Sequence, residues 1–203
     1  MHWIWSVASL ATAGMLITRG RIRRHVCLTF DDGPSPGHTP ALLDLLADHK
    51  VPATFFLIGS KVAEHPDIVR RIVAEGHKLG NHSFNHPRFD QTSMRAQWEE
   101  IEKTDRELAA HDGVQRHLVR PPYGKLDLRT LAVSFARRQR IALWNRDSLD
   151  YRLESAQIIA RFESTRLRPG DVVLFHDDGA SGLDALRVLL PRWRETGLKF
   201  GTL

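Results

Sequence analysis

The sequence predicts an α/β fold built on a parallel sheet. From Val26 onward, short apolar runs alternate with amphipathic segments of helical spacing. The 203 residues suit one domain with a substantial core, and no repeat, linker or low-complexity tract divides them. Pattern alone leaves two architectures open, a doubly wound open sheet and a closed barrel.

The expected strands are Val26–Phe30, Ala53–Ile58, Lys78–Gly80, Leu118–Arg120, Ile141–Trp144, Val172–Phe175 and Leu198–Leu203. Between them, helical spacing runs over Thr39–Asp48, Asp67–Glu75, Met94–Ala110, Leu128–Arg138, Ser155–Leu167 and Leu183–Glu195. Leu42, Leu45 and Leu46 share the inward face of the first helix, and Ile101 and Leu108 that of the third.

Residues 1–25 stand apart as an apolar segment followed by a basic stretch, with the domain proper expected over 26–203. Trp3 to Ile17 is uncharged, but its length is short of the ~20 residues a spanning helix needs. Only His2 precedes it, whereas Arg19, Arg21, Arg23 and Arg24 follow. That order is wrong for a secretory signal, and the positive-inside rule would place an anchored domain in the cytoplasm. The other reading makes Met15–Thr18 a first strand, or a flap over the bottom of a barrel.

Composition narrows the function. Hydrophobic residues at 42% and charged residues at 26% exclude disorder and a polytopic membrane protein. The net charge of +5 is scattered, so nucleic acid is not an expected partner. A single cysteine, Cys27, forms no internal disulfide and no thiolate zinc site, which leaves the histidines and carboxylates as metal ligands.

Polar groups recur at expected strand ends. Asp31-Asp32-Gly33-Pro34 follows the first strand; alone it reads as turn chemistry, but adjacent acids at a strand end are costly unless a cation binds. His82 and His86 have the spacing that, on a helical turn, sets two imidazoles on one side; with Asp32 they complete a two-His, one-carboxylate metal set. Arg120-Pro121-Pro122-Tyr123-Gly124 is a rigid turn able to aim the Tyr123 N–H at a developing oxyanion. Asp147-Ser148-Leu149-Asp150-Tyr151 and Leu174-Phe175-His176 fall at two more strand ends. Each motif alone has a bland reading, a cap or a hydrogen-bonded histidine, which their joint arrangement outweighs.

In that order these motifs resemble the NodB-like polysaccharide deacetylases, carbohydrate esterase family 4, from about Val26 to Leu203. Thr29-Phe30-Asp31-Asp32-Gly33, His82-Ser83-Phe84-Asn85-His86, Arg120-Pro121-Pro122-Tyr123 and Leu174-Phe175-His176 match, while Tyr151 stands where the family has Trp. The resemblance implies a distorted, incomplete (β/α) barrel of about seven parallel strands. It also implies hydrolysis of N-acetyl groups on an N-acetylglucosamine-containing glycan. In it Asp31 is the general base, held by Arg120, and Asp32, His82 and His86 are the metal ligands. Tyr123 is the oxyanion donor, His176 the general acid and Asp150 its support. Tyr123, Tyr151 and Leu174 line the substrate pocket. The expected metal is Zn2+, with Co2+ or Ni2+ able to use the same ligands. A monomer in the cell envelope is expected, with any membrane association through residues 3–17. The alternatives are an O-acetyl-glycan esterase of acetyl-xylan type and a non-catalytic carbohydrate-binding protein.

Overall fold

The computed structural model describes Leu16–Ile17 and residues 24–203. The remainder of the apolar stretch Trp3–Ile17, together with Arg19, Arg21 and Arg23, lies outside the described residues.

The strands are β1 (Leu16–Ile17), β2 (Cys27–Asp31), β3 (Ala53–Leu57), β4 (Lys78–Asn81), β5 (Ile141–Ala142), β6 (Arg146–Asp147) and β7 (Val172–His176). The helices are α1 (Thr39–Asp48), α2 (Gly59–Glu64), α3 (Pro66–Ala74), α4 (Met94–Asp112), α5 (Leu128–Ala136), α6 (Ser155–Ser164) and α7 (Ala180–Glu195). All strand pairings are parallel, in the order β4-β3-β2-β7-β6 and, separately, β1-β5.

Single bridges join the two sets: Val119 pairs with Asn81 on one side and Ile141 on the other. The stretch from Ile141 to Asp147 thus meets Val119 and β1 at its start and β7 at its end. One length of chain carries both edges of the sheet, and the ladder lapses between Ala142 and Arg146. This is an incomplete barrel, which decides the choice the pattern left open.

Strand alternation sorts the side chains. Leu28 and Phe30 on β2, Phe55 and Leu57 on β3, and Val173 and Phe175 on β7 point outward. There they join Leu42, Leu46, Val69, Ile72, Leu186 and Leu190 of the surrounding helices in the main core. Phe30 stacks on Phe55 with centroids 5.1 Å apart, and each such fully buried ring contributes about 1.5–3 kcal/mol. Ile17, Phe56 and Ala142 form a separate cluster with Leu118 and Leu203. The residues alternating with the outward set, Thr29, Asp31, Leu174 and His176, are therefore free to serve the barrel's interior and its C-terminal mouth.

Local chemistry sets the helix ends. Ser93 caps α4 by accepting the Ala96 N–H at 3.2 Å, and Gly113 closes it at φ 74°, a left-handed conformation glycine adopts without strain. Asp127 and Thr130 make a reciprocal capping box on α5.

Several expected elements are corrected. Leu118–Arg120 and Leu198–Leu203 each contribute a single bridge, at Val119 and Phe200, rather than a strand. Ile141–Trp144 is shortened to Ile141–Ala142, because the chain there leaves one edge to reach the other. Leu183–Glu195 starts earlier, at Ala180, and Ser155–Leu167 ends earlier, at Ser164. The helix α2 and strand β6 were not expected; both are short enough to leave no periodic signal. Leu16–Ile17 is a strand, in keeping with the second reading of Met15–Thr18.

Candidate active site

The site is assembled by strand register. Asp31 on β2 pairs with His176 on β7 and with Phe56 on β3, so acid and imidazole emerge side by side at the C-terminal mouth. A cleft of about 330 Å3 opens there, lined by Asp31, Asp32, His82, His86, Tyr123, Gly124, Trp144, Asp147, Tyr151, Leu174, His176 and Asp178.

Asp31 is held from inside the barrel. Arg120, wholly buried, donates to its Oδ1 at 2.6 Å and to Thr29 Oγ1 at 2.9 Å. The rest of the guanidinium donates to the carbonyls of Ala142 and Leu143, both at 3.2 Å, and lies 4.0 Å from the centroid of the Phe56 ring. A planar fork with five donors serves this task where an ammonium would not. A surface position for Arg120 is excluded by its burial.

Beyond Asp31 the backbone turns left-handed at Asp32, φ 75°. Lys61 of α2 donates to the Asp32 carbonyl at 2.7 Å. Gly33 has no room for a side chain, since a Cβ there would lie 2.2 Å from Asp177 Oδ2. The Asp177 carboxyl is buried and receives the Thr39 hydroxyl at 2.5 Å; burial pushes its pKa up to about 7.

His82 and His86 come together differently from the expectation. The segment from His82 to His86 is a loop, with Ser83 at φ 66° and His86 at φ 57°, rather than a helical turn. Its backbone is tied down by polar side chains. The Ser83 N–H donates to Asn81 Oδ1 at 3.0 Å, the His86 N–H to Ser83 Oγ at 3.1 Å, and the Phe84 and Asn85 N–H groups to Glu100 of α4. The two rings end with centroids 4.9 Å apart.

Asp32, His82 and His86 offer ligand atoms within 4.8 Å of one another. The His82 Nδ1 lies 2.7 Å from the Arg120 carbonyl, which only accepts, so Nδ1 carries the proton and Nε2 presents its lone pair. That lone pair faces Asp32 Oδ1 at 3.3 Å, and His86 Nε2 lies 3.1 Å from the same oxygen. Asp32 Oδ1 is buried without a hydrogen-bond partner. Burial works against ionised Asp32, but His82 and His86 as neighbouring cations would more than reverse this and hold its carboxyl well below the usual range. The set needs positive charge, and a divalent cation fits these three donors.

On β7, beside Asp31, His176 Nδ1 lies 2.7 Å from Asp150 Oδ1, and its backbone N–H donates to Asp150 Oδ2, also at 2.7 Å. Burial lowers the His176 pKa, yet the Asp150 carboxylate outweighs it and pushes it up to about 9. Its Nε2 stands 4.0 Å from Asp32 Oδ2. Leu174, two residues back on β7, is buried beneath it. Tyr123 has a left-handed φ of 59°, and its ring centroid lies 4.6 Å from that of His86. Tyr151 sits edge-on to His176 with centroids 5.5 Å apart.

Every expected site residue therefore reaches the cleft or its immediate support. A polysaccharide deacetylase family model matches residues 19–137. This chain belongs to the polysaccharide deacetylase family. It is 36% identical over 185 residues to a peptidoglycan-N-acetylglucosamine deacetylase of Bacillus cereus, a match covering 89% of this chain and 67% of that protein. It is 39% identical over 156 residues to a chitooligosaccharide deacetylase of a Bradyrhizobium species, covering 76% of this chain and 71% of that one. A crystal structure of a peptidoglycan N-acetylglucosamine deacetylase superposes with a TM-score of 0.89 at 32% identity, covering 96% of this chain and 94% of that chain.

The sequence reading missed Lys61, Asn81 and Glu100 and gave Thr29 no role of its own, although all four position the site without lining it. Asn81, adjacent to His82, and Thr29, within the Asp31 motif, carried a signal in their places beside candidate site residues.

Proposed function

We propose that residues 26–203 form a metal-dependent hydrolase that removes N-linked acetyl groups from an N-acetylglucosamine-containing glycan of the cell envelope and releases acetate. The observation that carries this reading is the unpartnered Asp32 Oδ1 facing two imidazole nitrogens, with Asp31 and His176 side by side in the same cleft. The names of the relatives in Bacillus cereus and Bradyrhizobium support the substrate class.

Asp32, His82 and His86 would hold a divalent cation, Zn2+ before Co2+ or Ni2+ for mixed His and carboxylate donors. When bound, such a cation supplies Lewis-acid polarisation of the acyl carbonyl and makes a nearby water more acidic. Asp31, fixed by Arg120, takes a proton from the attacking water as its oxygen adds to the acetamide carbonyl carbon. The Tyr123 N–H donates to the oxyanion as it forms. His176, kept protonated by Asp150, gives its proton to the amide nitrogen as the C–N bond breaks, leaving a free amine and acetate. Leu174 offers an apolar wall to the acetyl methyl group.

Tyr151 favours comparison with a second reading, an O-acetyl esterase, because it replaces the family's Trp at the wall beside His176. Acetate release by the purified chain from N-acetylglucosamine oligomers and from O-acetylated xylan separates the two. The proposal expects release from the first substrate to dominate; preferential release from the ester would overturn it.

A further inference from the structure

The segment that carries His82 and His86 is held from both sides by protein groups. Each backbone N–H from Asn81 to His86 has an acceptor. Those of Asn81 and His82 donate to the Leu118 and Leu57 carbonyls at 2.8 and 3.0 Å, and those of Ser83 and His86 to Asn81 Oδ1 and Ser83 Oγ. The Phe84 and Asn85 N–H groups share Glu100 Oε2 at 2.8 and 2.7 Å, and Asn85 Nδ2 donates to Oε1 of the same carboxylate at 2.8 Å. From the other side, the Gly59 and Ser60 N–H groups of α2 donate to the Ser83 and Phe84 carbonyls, both at 3.0 Å. Loop backbone is ordinarily left to solvent, and here protein groups take the place of water.

Much of this grip comes from α4, which also carries a buried carboxylate that the chemistry of the mouth does not use. Asp105 is 3% exposed. Its Oδ1 accepts from Asn81 Nδ2 at 2.9 Å and from the His117 N–H at 3.3 Å, and lies 3.1 Å from His117 Nδ1. Its Oδ2 accepts from Gln139 Nε2 at 2.8 Å and Arg137 Nη2 at 3.0 Å. Burial raises the Asp105 pKa, but the bonds from His117 and Asn81 outweigh it and hold the carboxyl below the usual range. A buried carboxylate is costly unless its donors are in place, so Asp105 and the Asn81 amide fix one another. The same Asn81 Nδ2 reaches the Ile101 carbonyl of α4 at 2.8 Å, while Asn81 Oδ1 holds Ser83. Lys103 of α4 lies 3.5 Å from the centroid of the Phe84 ring, and that ring leaves no room for a Cβ at Gly59.

We infer, on the reading of Asp32, His82 and His86 as metal ligands, that Glu100 and Asp105 are positioning residues which preset the His82–His86 segment, so that α4 sets the cation affinity of a site it does not line. Glu100 acts through the Phe84 and Asn85 backbone, and Asp105 through Asn81 and Ser83. The imidazoles stand in place before a cation arrives, so little ordering of the loop is left to oppose binding.

The test compares the native chain with Glu100→Ala, Glu100→Gln, Asp105→Ala and Arg137→Gln. Amide hydrogen exchange on the chelated protein reads the segment itself. Slow exchange from Ser83 to His86 is expected in the native chain, with protection lost at Phe84 and Asn85 in Glu100→Ala and at Ser83 in Asp105→Ala. Competition with a chromophoric chelator reads affinity, and both Ala variants are expected to bind Zn2+ about 10–100-fold more weakly, as when a group that orients a metal ligand is lost. Glu100→Gln keeps a carbonyl oxygen for the Phe84 and Asn85 N–H groups and should restore both readouts. Arg137→Gln removes a donor from the other oxygen of Asp105, and should lower the Tm of the metal-free protein while leaving affinity and exchange native. Glu100 is only half-buried, so its variants decide the matter where Asp105→Ala does not fold. Native affinity in either Ala variant, rapid exchange in the native metal-free chain, or an affinity loss that Arg137→Gln shares would overturn the inference and leave the three ligands standing. A native chain that binds neither Zn2+ nor Co2+ would overturn the metal reading and the inference with it.

Discussion

Replacing Arg120 with Met tests whether one buried side chain supports both the fold and the candidate base. The guanidinium is wholly buried and satisfies Asp31 Oδ1, Thr29 Oγ1 and the carbonyls of Ala142 and Leu143. Methionine fills a similar volume but leaves a buried carboxylate and two carbonyls without a donor. Breaking a buried pair in this way costs about 3–5 kcal/mol. For a domain of this size each kcal/mol lowers Tm by about 2–4 °C, so a fall of about 6–20 °C is expected by thermal denaturation. Metal content should be retained, because His82 bonds the Arg120 carbonyl rather than its side chain. Activity should be lost with the orientation of Asp31. Arg120→Lys keeps the charge but cannot reach all four acceptors, and should fall between the two. A Met variant melting within about 2 °C of the native protein would refute the reasoning, since even one lost buried hydrogen bond costs about 1 kcal/mol.

Other expectations follow from the same geometry. Asp31→Asn should cut acetate release by at least about a hundredfold while metal analysis shows the ion still bound, because it removes a base and leaves the three ligands in place. Asp177→Asn should alter the pH dependence of stability. The folded-state pKa of Asp177 is raised to about 7 from 3.8, so its contribution is fully present below pH 3.8 and is lost as pH rises toward 7. Relative to the native protein, the Asn variant should therefore gain about 4 kcal/mol between pH 4 and pH 8 in denaturant titrations; a constant difference would contradict the buried, protonated carboxyl. Tyr151→Trp should change KM for N-acetylglucosamine oligomers more than kcat, because the ring lies beside His176 without bonding it. An equal loss in both parameters on steady-state kinetics would assign Tyr151 to the chemical step.

Much of the site could be read from the sequence because parallel strands bring their C-terminal ends to one mouth. Once Val26–Phe30 and Val172–Phe175 are read as strands, Asp31, Asp32 and His176 must lie near one another, and the register of Asp31 on His176 agrees. Closure of the sheet was not legible from the strands' periodicity. It depends on the stretch from Ile141 to Asp147 serving both edges, and two-residue strands leave no pattern. The His82–His86 spacing suggested a helical turn, whereas local side-chain bonds from Asn81 and Ser83, together with Glu100 from 16 residues on, hold the segment in a loop that the spacing of the two histidines does not encode. Lys61 escaped notice for a similar reason: it sits on a short helix and acts on a backbone carbonyl 29 residues away.

The central claim is that Asp32, His82 and His86 hold a metal on which deacetylation depends. The most direct measurement is acetate release from N-acetylglucosamine oligomers by the protein as isolated, after chelation, and after zinc or cobalt is returned, with His82→Ala carried through the same series. Activity lost on chelation and restored by metal in the native chain, together with failure of His82→Ala to retain metal or regain activity, is the predicted result. Undiminished release after complete chelation, or a His82→Ala variant with native metal content and turnover, would contradict it.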